Sequence, residues 1–251
     1  IGDVLKSIDD KISNNNRINA ELESMAKTIY DYWFTQFDFP DENGKPYKSS
    51  GGKMVWNEEL KREIPEGWEV VNLESFINVV RGVSYSSNEV SADPKEDYVP
   101  LLKSNNLQNG RLILDDIIYV PKANVADNQY LSNNSVFVTM SSGSTEHVGK
   151  TALIPFDTEY CYGAFCSKIE IKPEFRCFIS CFFLSDYFKR LIRTIVIGTS
   201  IKNISNEHLT NNLIAIPTNT DSYIINSFEK LINPLFDKQA EIIKENQQLA
   251  S

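Results

Sequence analysis

Apolar residues recur at both ends of the chain in alternating steps of four and three. From Ile1 the pattern runs through Leu5, Ile8, Ile12, Asn15, Asn19, Leu22, Ala26 and Ile29 to Trp33, a 3.5-residue seam of the kind that zips helices together. Residues 235–251 lie over residues 8–24 at a constant offset of 227, with identities at Asp10/Asp237, Lys11/Lys238, Asn19/Asn246 and Leu22/Leu249. The same offset carries the seam onto Phe228, Ile232, Leu235, Gln239, Ile242, Asn246 and Leu249. Both ends are therefore predicted to be helices with one apolar edge and an Asn at the same seam position. A buried Asn costs stability but fixes register and partner, because a shifted pairing leaves its amide unsatisfied. An amphipathic helix packed only on its own domain would not account for two matching helices at opposite termini, so the spacing predicts a coiled coil between helices. Pro234 removes a backbone donor, so the second helix is expected to kink there or to begin its regular part there.

Between the ends the periodicity changes. The first helix is predicted to run to about Phe37 and to end in an aromatic-dense stretch, followed by a polar, turn-rich segment over residues 40–53 with Asn-Gly and Gly-Gly pairs and two prolines. Pro65 and Gly67 frame the entry to a new domain. From about Val70 to Pro217 the chain reads as short strands mixed with helices: an Asn-Gly hairpin signal at Asn109 and Gly110, strands over 135–140 and 151–156 around a Ser/Gly loop, and period-two alternation over 167–173. Residues 178–196 are long enough for one helix, with Lys189, Arg190 and Arg193 at its polar end, and residues 213–217 form a last strand. The expected fold class is α+β, a mixed α/β domain flanked by long coiled-coil helices. The expected division is 1–39 for the first helix, 40–69 for a linker, 70–219 for the domain and 220–251 for the second helix.

Composition bounds the function without naming it. The 251 residues, 41% hydrophobic, suffice for a real core in one or two domains. No apolar run approaches the roughly 20 residues of a membrane span, and no basic n-region with an apolar h-region argues for secretion. The chain opens on Ile1 and not Met, which points to a fragment or processed form. A net charge of −9 argues superficially against a nucleic-acid partner, but residues 70–220 hold 13 Lys and Arg against 15 Asp and Glu, so most of the acid lies in the flanks. A near-neutral middle can still present a basic face, as Lys189, Arg190, Arg193 and Lys202 suggest, or merely scatter solvated charges.

Signals of bond chemistry are weak. The cysteines are spaced C-x4-C (Cys161, Cys166) and C-x3-C (Cys177, Cys181) in apolar surroundings, which fits no common zinc pattern and predicts buried, reduced thiols. Unpaired thiols favour a reducing compartment, hence a cytoplasmic address. Residues 143–151 imitate a phosphate-binding loop, but five residues separate the glycines where four are needed, and a strand-like run follows where a helix should begin. Pro40-Asp41 and Glu59-Leu60-Lys61 imitate a nuclease pattern from within a turn-rich linker, without adjacent strands to converge the acids on a metal. The two histidines, His147 and His208, have no Cys or paired carboxylate near them in sequence. No metal site, no cofactor and no catalysis are expected of this chain.

The order of elements, with IYDYWFTQFDFPDENGKPYKSSGGKMVWNEELKREIPEGWE (29–69) between the first helix and the mixed domain, strongly resembles the specificity subunit of type I restriction-modification systems. Residues 25–69 resemble that family's central conserved region. RGVSYS (81–86), YVPLLKSNNLQNGRL (98–112), SVFVTMSSGSTEHVGKTALI (135–154) and GTSIKNISNEHLTNNLIAIP (198–217) resemble, more loosely, segments of its target recognition domain. Full-length members have two recognition domains and two conserved helical regions; this chain has one domain between one conserved helix and a partial repeat of it, so it resembles a C-terminal half. The resemblance implies a non-catalytic, DNA-reading subunit for one half of a split double-stranded site. The helices would act as a spacer, methylation subunits would methylate adenine with S-adenosylmethionine, and restriction subunits would add ATP- and Mg-dependent translocation and cleavage. No methylase motif and no true Walker loop occurs here, so those cofactors are expected only on partners. A non-enzymatic coiled-coil scaffold whose middle domain binds protein is the alternative.

Under the DNA-reading interpretation, the contacts are expected from polar loops: Arg81, Ser84 and Tyr85; Lys103, Ser104 and Asn105; Ser142, Ser144, Thr145 and His147; and Thr199, Ser200, Lys202 and Asn203. Such side chains can position on phosphates or read base edges, although Ser and Asn also simply build turns. Tyr30, Tyr32, Trp33, Phe34, Phe37 and Phe39 are too dense for one helix to aim at one core, so Tyr30, Tyr32, Phe34 and Phe37 are expected to offer a surface to the methylation subunit, with Trp33 kept by the seam. Apolar seams left uncovered are costly. The terminal helices are therefore expected to pair within the chain and then in a two-fold homodimer of antiparallel helices that prefers a palindromic split site.

Overall fold

A computed structural model describes residues 2–108, 110–197, 203–218 and 223–250. The chain divides into two compact units, Ile1–Glu69 with Pro217–Ser251, and Val70–Ile216. In chain order the elements are α1 (Gly2–Tyr30), β1 (Met54–Asn57), β2 (Arg62–Pro65), β3 (Trp68–Asn72), β4 (Ile77–Arg81), β5 (Tyr98–Leu102), β6 (Leu107–Gln108), β7 (Arg111–Leu112), β8 (Ile118–Pro121), β9 (Ser135–Thr139), β10 (Thr151–Ile154), β11 (Cys161–Tyr162), β12 (Cys166–Ile171), α2 (Arg176–Leu184), α3 (Asp186–Ile197), α4 (Glu207–Thr210), β13 (Leu213–Pro217) and α5 (Tyr223–Ala250). The mixed fold class is as the periodicity predicts. No described helix is long and apolar enough to cross a membrane.

In the first unit the terminal helices pair antiparallel, so the two copies of the repeat face each other within one chain. Asn15 is 1% exposed; its Nδ2 donates to Oε2 of Glu245 at 2.7 Å and to Oδ1 of Asn246 at 2.8 Å. Further along, Nε2 of Gln239 donates to the Asn19 carbonyl at 3.0 Å, and Trp33 meets Phe228 with ring centroids 5.6 Å apart. The Glu245 carboxyl is held below its usual range, first by the Asn15 amide and then by the Lys11 ammonium, 3.2 Å away. Asn15, Asn19, Ala26, Trp33, Phe228, Ile232 and Ile242 are buried along the predicted seam, whereas Leu5 at its N-terminal end is exposed. The second helix runs continuously from Tyr223 through Pro234, so its regular part does not begin at the proline.

The aromatic end of α1 departs from expectation. The helix ends at Tyr30, and a π-helical turn, Asp31–Thr35, follows in place of α-helix to Phe37. Phe37 then takes a left-handed backbone conformation, φ 64°. The wider turn and the reversal aim neighbouring rings inward: Phe34 sits 4.9 Å from Phe228 and 6.1 Å from Trp68, and Phe37 5.4 Å from Trp68. Tyr30, Phe34 and Phe37 are consequently buried and cannot form the expected partner surface; Tyr32 alone of the four is exposed. The following segment is folded. Phe39 stacks on Tyr47 and on Trp68, and the Asp38 carboxylate accepts the Ser49 amide at 2.7 Å and hydroxyl at 2.6 Å. The Ser49 hydroxyl is the first cause that draws the Asp38 carboxyl below its usual range.

In the second unit an antiparallel sheet runs β10-β9-β12-β4, and a three-stranded sheet runs β11-β5-β8 with β11 parallel to β5. β6 and β7 pair antiparallel, with Gln108 opposite Arg111 and Gly110 at φ 77°. β12 does not alternate between buried and exposed, because both its faces are covered. Lys168 on it is 2% exposed, and its ammonium donates to the Tyr130 carbonyl at 2.9 Å, to Ser132 Oγ at 3.2 Å and to Glu170 Oε1 at 2.9 Å. Tyr130 is bridged to Cys161 of β11, so Lys168 ties one sheet to the other. The single helix expected over 178–196 is two helices broken at Ser185, whose extended backbone (ψ 156°) and Oγ, accepting the Phe188 amide at 3.1 Å, start α3 afresh. All four cysteines are buried, and burial pushes the Cys161 and Cys166 thiols up to about 12.

Candidate nucleic-acid interface

Strand ends of the second unit meet around one short turn, Gly163, Ala164 and Phe165, between β11 and β12. Past the end of β4, the Gly82 amide donates to the Cys166 carbonyl at 3.1 Å, and Val83 bridges Gly163 in parallel. The approach needs glycine: a Cβ on Gly82 would lie 2.3 Å from the Gly163 carbonyl oxygen. From the end of β5, the Leu102 carbonyl accepts the Gly163 amide at 2.9 Å. From the end of β9, the Met140 and Ser141 amides both donate to the Phe165 carbonyl, at 2.8 and 3.1 Å. Ser141 is bridged to Asn203, and the Ile204 amide donates to the Met140 carbonyl.

This geometry gathers sequence-predicted residues from separate segments onto one rim. Arg81 is exposed, and its Nε donates to the Ala164 carbonyl at 2.6 Å, so part of its guanidinium holds the turn. Ser84 is exposed; Tyr85 is half-buried over Gly163, and loss of solvent raises its phenol above the usual range. Lys103 and Ser104 are half-buried and Asn105 exposed. Their loop is held by a residue that sequence reasoning passed over: buried Asn106, whose Oδ1 accepts the Lys103 amide at 2.8 Å and whose Nδ2 donates to the carbonyls of Ile113 and Asp115. Ser144 and Thr145 are exposed and Ser142 half-buried in the loop after β9. His147 is half-buried with Nδ1 2.9 Å from the Lys150 ammonium, an internal contact and not a free reader. Asn203 is exposed at the rim, whereas Thr199, Ser200 and Lys202 lie outside the described residues.

The helix α3 flanks the same loop. A Cβ on Gly149, whose φ is 77°, would meet Cγ2 of Ile192 at 2.4 Å, so α3 packs where the 142–148 loop returns to the sheet. Arg190 and Arg193 stand on the exposed side of this helix. His208 is used in its own turn, its Nδ1 accepting the Ser205 amide at 2.9 Å. Asp41 likewise closes a turn, accepting the amides of Asn43 and Lys45. Residue 151 opens a strand, as expected where a phosphate-binding loop would need a helix. Among the described residues no group of three His, Cys, Asp or Glu side chains is placed to hold a metal ion.

Comparison with known proteins places the chain. It is 35% identical over 145 residues to the type I restriction enzyme EcoKI specificity subunit of Escherichia coli, covering 57% of this chain and 31% of that protein. It is 25% identical over 239 residues to the MjaIX specificity subunit of Methanocaldococcus jannaschii, covering 95% of this chain and 51% of that one. The chain thus spans about half the length, or less, of these curated relatives. The crystal structure of a type I restriction-modification S subunit from M. genitalium shares the fold, with TM-score 0.56 at 15% identity over 99% of this chain and 56% of that one. Residues 65–246 match the model of the type I restriction modification DNA specificity domain, and the chain belongs to that family.

Proposed function

We propose that the unit Val70–Ile216 reads one half of a split double-stranded DNA site, as the non-catalytic recognition component of a type I restriction-modification enzyme. The observation that carries this reading is the convergence of the ends of β4, β5 and β9 on the turn at Gly163, which brings Arg81, Tyr85 and Asn203 to one place and starts from it the loops that carry Lys103, Asn105, Ser144 and Thr145. Donors from several loops on a rigid sheet end are what base readout requires. Ser, Asn and backbone groups can bind sugar and phosphate oxygens, and a free Arg edge can take two acceptors of guanine. Exposed Arg190 and Arg193 on α3 would add sequence-independent phosphate contacts. S-adenosylmethionine, ATP and Mg would be bound by partner subunits and not by this chain.

The partners of this reading are DNA, methylation and restriction subunits, and a second copy of the chain. The antiparallel helix pair would serve as the spacer and, with Tyr32 at its aromatic end, as part of the docking surface for a methylation subunit. Val4, Leu5, Met25 and Leu231 remain exposed on these helices, and their apolar surface supports a two-fold dimer in which two identical readers select a palindromic split site. Gel-shift titration tests the DNA reading. Lys103→Ala should weaken binding on all duplexes and lower the salt slope, while Asn105→Ala should change only the preferred sequence. Unchanged specific binding in the double variant, or binding indifferent to salt, would favour a protein-binding scaffold instead.

A further inference from the structure

Phe165 stands at the centre of the rim and is 68% exposed. An isolated exposed aromatic is unremarkable on a protein surface; the way this one is held is not explained by surface statistics. Its carbonyl accepts the Met140 and Ser141 amides, the preceding Ala164 donates to the Val83 carbonyl at 2.9 Å and accepts from Arg81, and the following Cys166 donates to the Gly163 carbonyl at 2.9 Å. The peptides of the turn are thus tied to the end of β5, to the residues that follow β4 and β9 and to the turn itself, and Gly82 packs closely against Gly163. The backbone that carries this exposed ring is thereby held in place, beside hydrogen-bonding groups of Arg81 and Ser141 and the Asn203 bridged to Ser141.

We propose that Phe165 is a base-contacting specificity residue, the apolar member of a site whose other members are polar. The proposal rests on the DNA reading of the rim. Base pairs offer such a ring two apolar targets, the thymine 5-methyl group in the major groove and the stacked faces of a base step that a wedge can open. Both reward an aromatic ring presented from a backbone that is already ordered, since ordering the turn on binding would cost affinity.

The test uses the full chain with a duplex enriched by its own binding and a scrambled duplex of equal length. Phe165→Ala should lose roughly tenfold in affinity for the enriched duplex, with affinity for the scrambled duplex and the salt slope unchanged, and Phe165→Leu should fall between. Replacing thymines by deoxyuridine should weaken the wild type but not Phe165→Ala if the ring reads a methyl group. A rise in 2-aminopurine fluorescence with wild type only would mark insertion into a base step. If the wild type discriminates and Phe165→Ala discriminates equally, or loses affinity equally for both duplexes, the assignment is overturned while the DNA reading stands. A wild type that shows no preference among duplexes would overturn the DNA reading itself, and this assignment with it.

Discussion

Asn15 and Asn246, 231 positions apart in sequence, are hydrogen-bonded side chain to side chain at 2.8 Å. Asn246 is the repeat of Asn19 and not of Asn15, because antiparallel packing pairs each copy of the element with a different turn of the other. The amide of Asn246 in turn donates to Asn16 Oδ1 at 3.2 Å. One slip of register would strand these amides and Glu245 together, so the pairing specifies alignment as well as contact.

Asn15→Ala should destabilise the chain by about 1–3 kcal/mol, since Asn246 and Glu245 lose a buried donor. A double-mutant cycle with Asn246→Ala, read by urea unfolding, should give a coupling energy of about 0.5 kcal/mol or more. Strict additivity would mean that the two amides do not interact.

Asp38 predicts a pH dependence. Its carboxyl lies below the usual 3.8 in the folded chain, held first by the Ser49 hydroxyl. A depressed folded value contributes stability that is present above 3.8 and is lost as pH falls through the folded value. Asp38→Asn should therefore be less stable than wild type near neutrality, and the two melting curves should draw together as the pH falls below 3.8. A difference that persisted at strongly acid pH would point away from the carboxylate.

Gly82→Ala should separate the rim from its turn, because the added carbon collides with backbone oxygen and no rotamer change relieves it. We expect a loss of about 1–3 kcal/mol in stability together with loss of duplex discrimination. Retention of both in the purified variant would contradict the close approach of Gly82 to Gly163.

Arg190→Gln with Arg193→Gln should lower affinity for every duplex and reduce the slope of log K against log salt by up to about 2, leaving the order of preference among sequences intact. A changed preference would instead place these side chains on bases.

Tyr32→Ala, folded by circular dichroism, should capture less methylation subunit in a pull-down. Tyr32 and not Phe34 is the informative position, because Phe34 is buried against Phe228 and Trp68 and its loss would disturb that packing. In sedimentation, the chain without methylation subunits should be a dimer at micromolar concentration; a monomer would remove the homodimer and leave the DNA reading untouched.

Much of this organisation was legible in the chain. The helix pair was visible because its seam repeats at 3.5 residues at both ends, and the rim loops because Ser, Asn and Gly punctuate period-two runs. What escaped was decided by packing. Whether Tyr30, Phe34 and Phe37 face inward depends on a π-helical turn and one left-handed residue, neither of which leaves a pattern in the residues. The break at Ser185 interrupts apolar periodicity without a Gly or Pro to announce it; the signal was a Ser three residues before Phe188 at a helix start. Lys168 reads as a solvent-facing residue because alternation says nothing of what covers the second face of a strand. Phe165 was hidden by its neighbours, since an apolar ring between Cys161, Tyr162 and Cys166 reads as core until the turn that expels it is seen.

Selection of random duplexes by the full chain tests the central claim most directly. Repeated rounds of binding and sequencing should enrich one short motif, repeated as a palindrome with a fixed spacer if the chain is dimeric, and Asn105→Ala should enrich a motif altered at discrete positions. Enrichment of no motif at any salt concentration would contradict the assignment of the Gly163 rim as a reader of DNA.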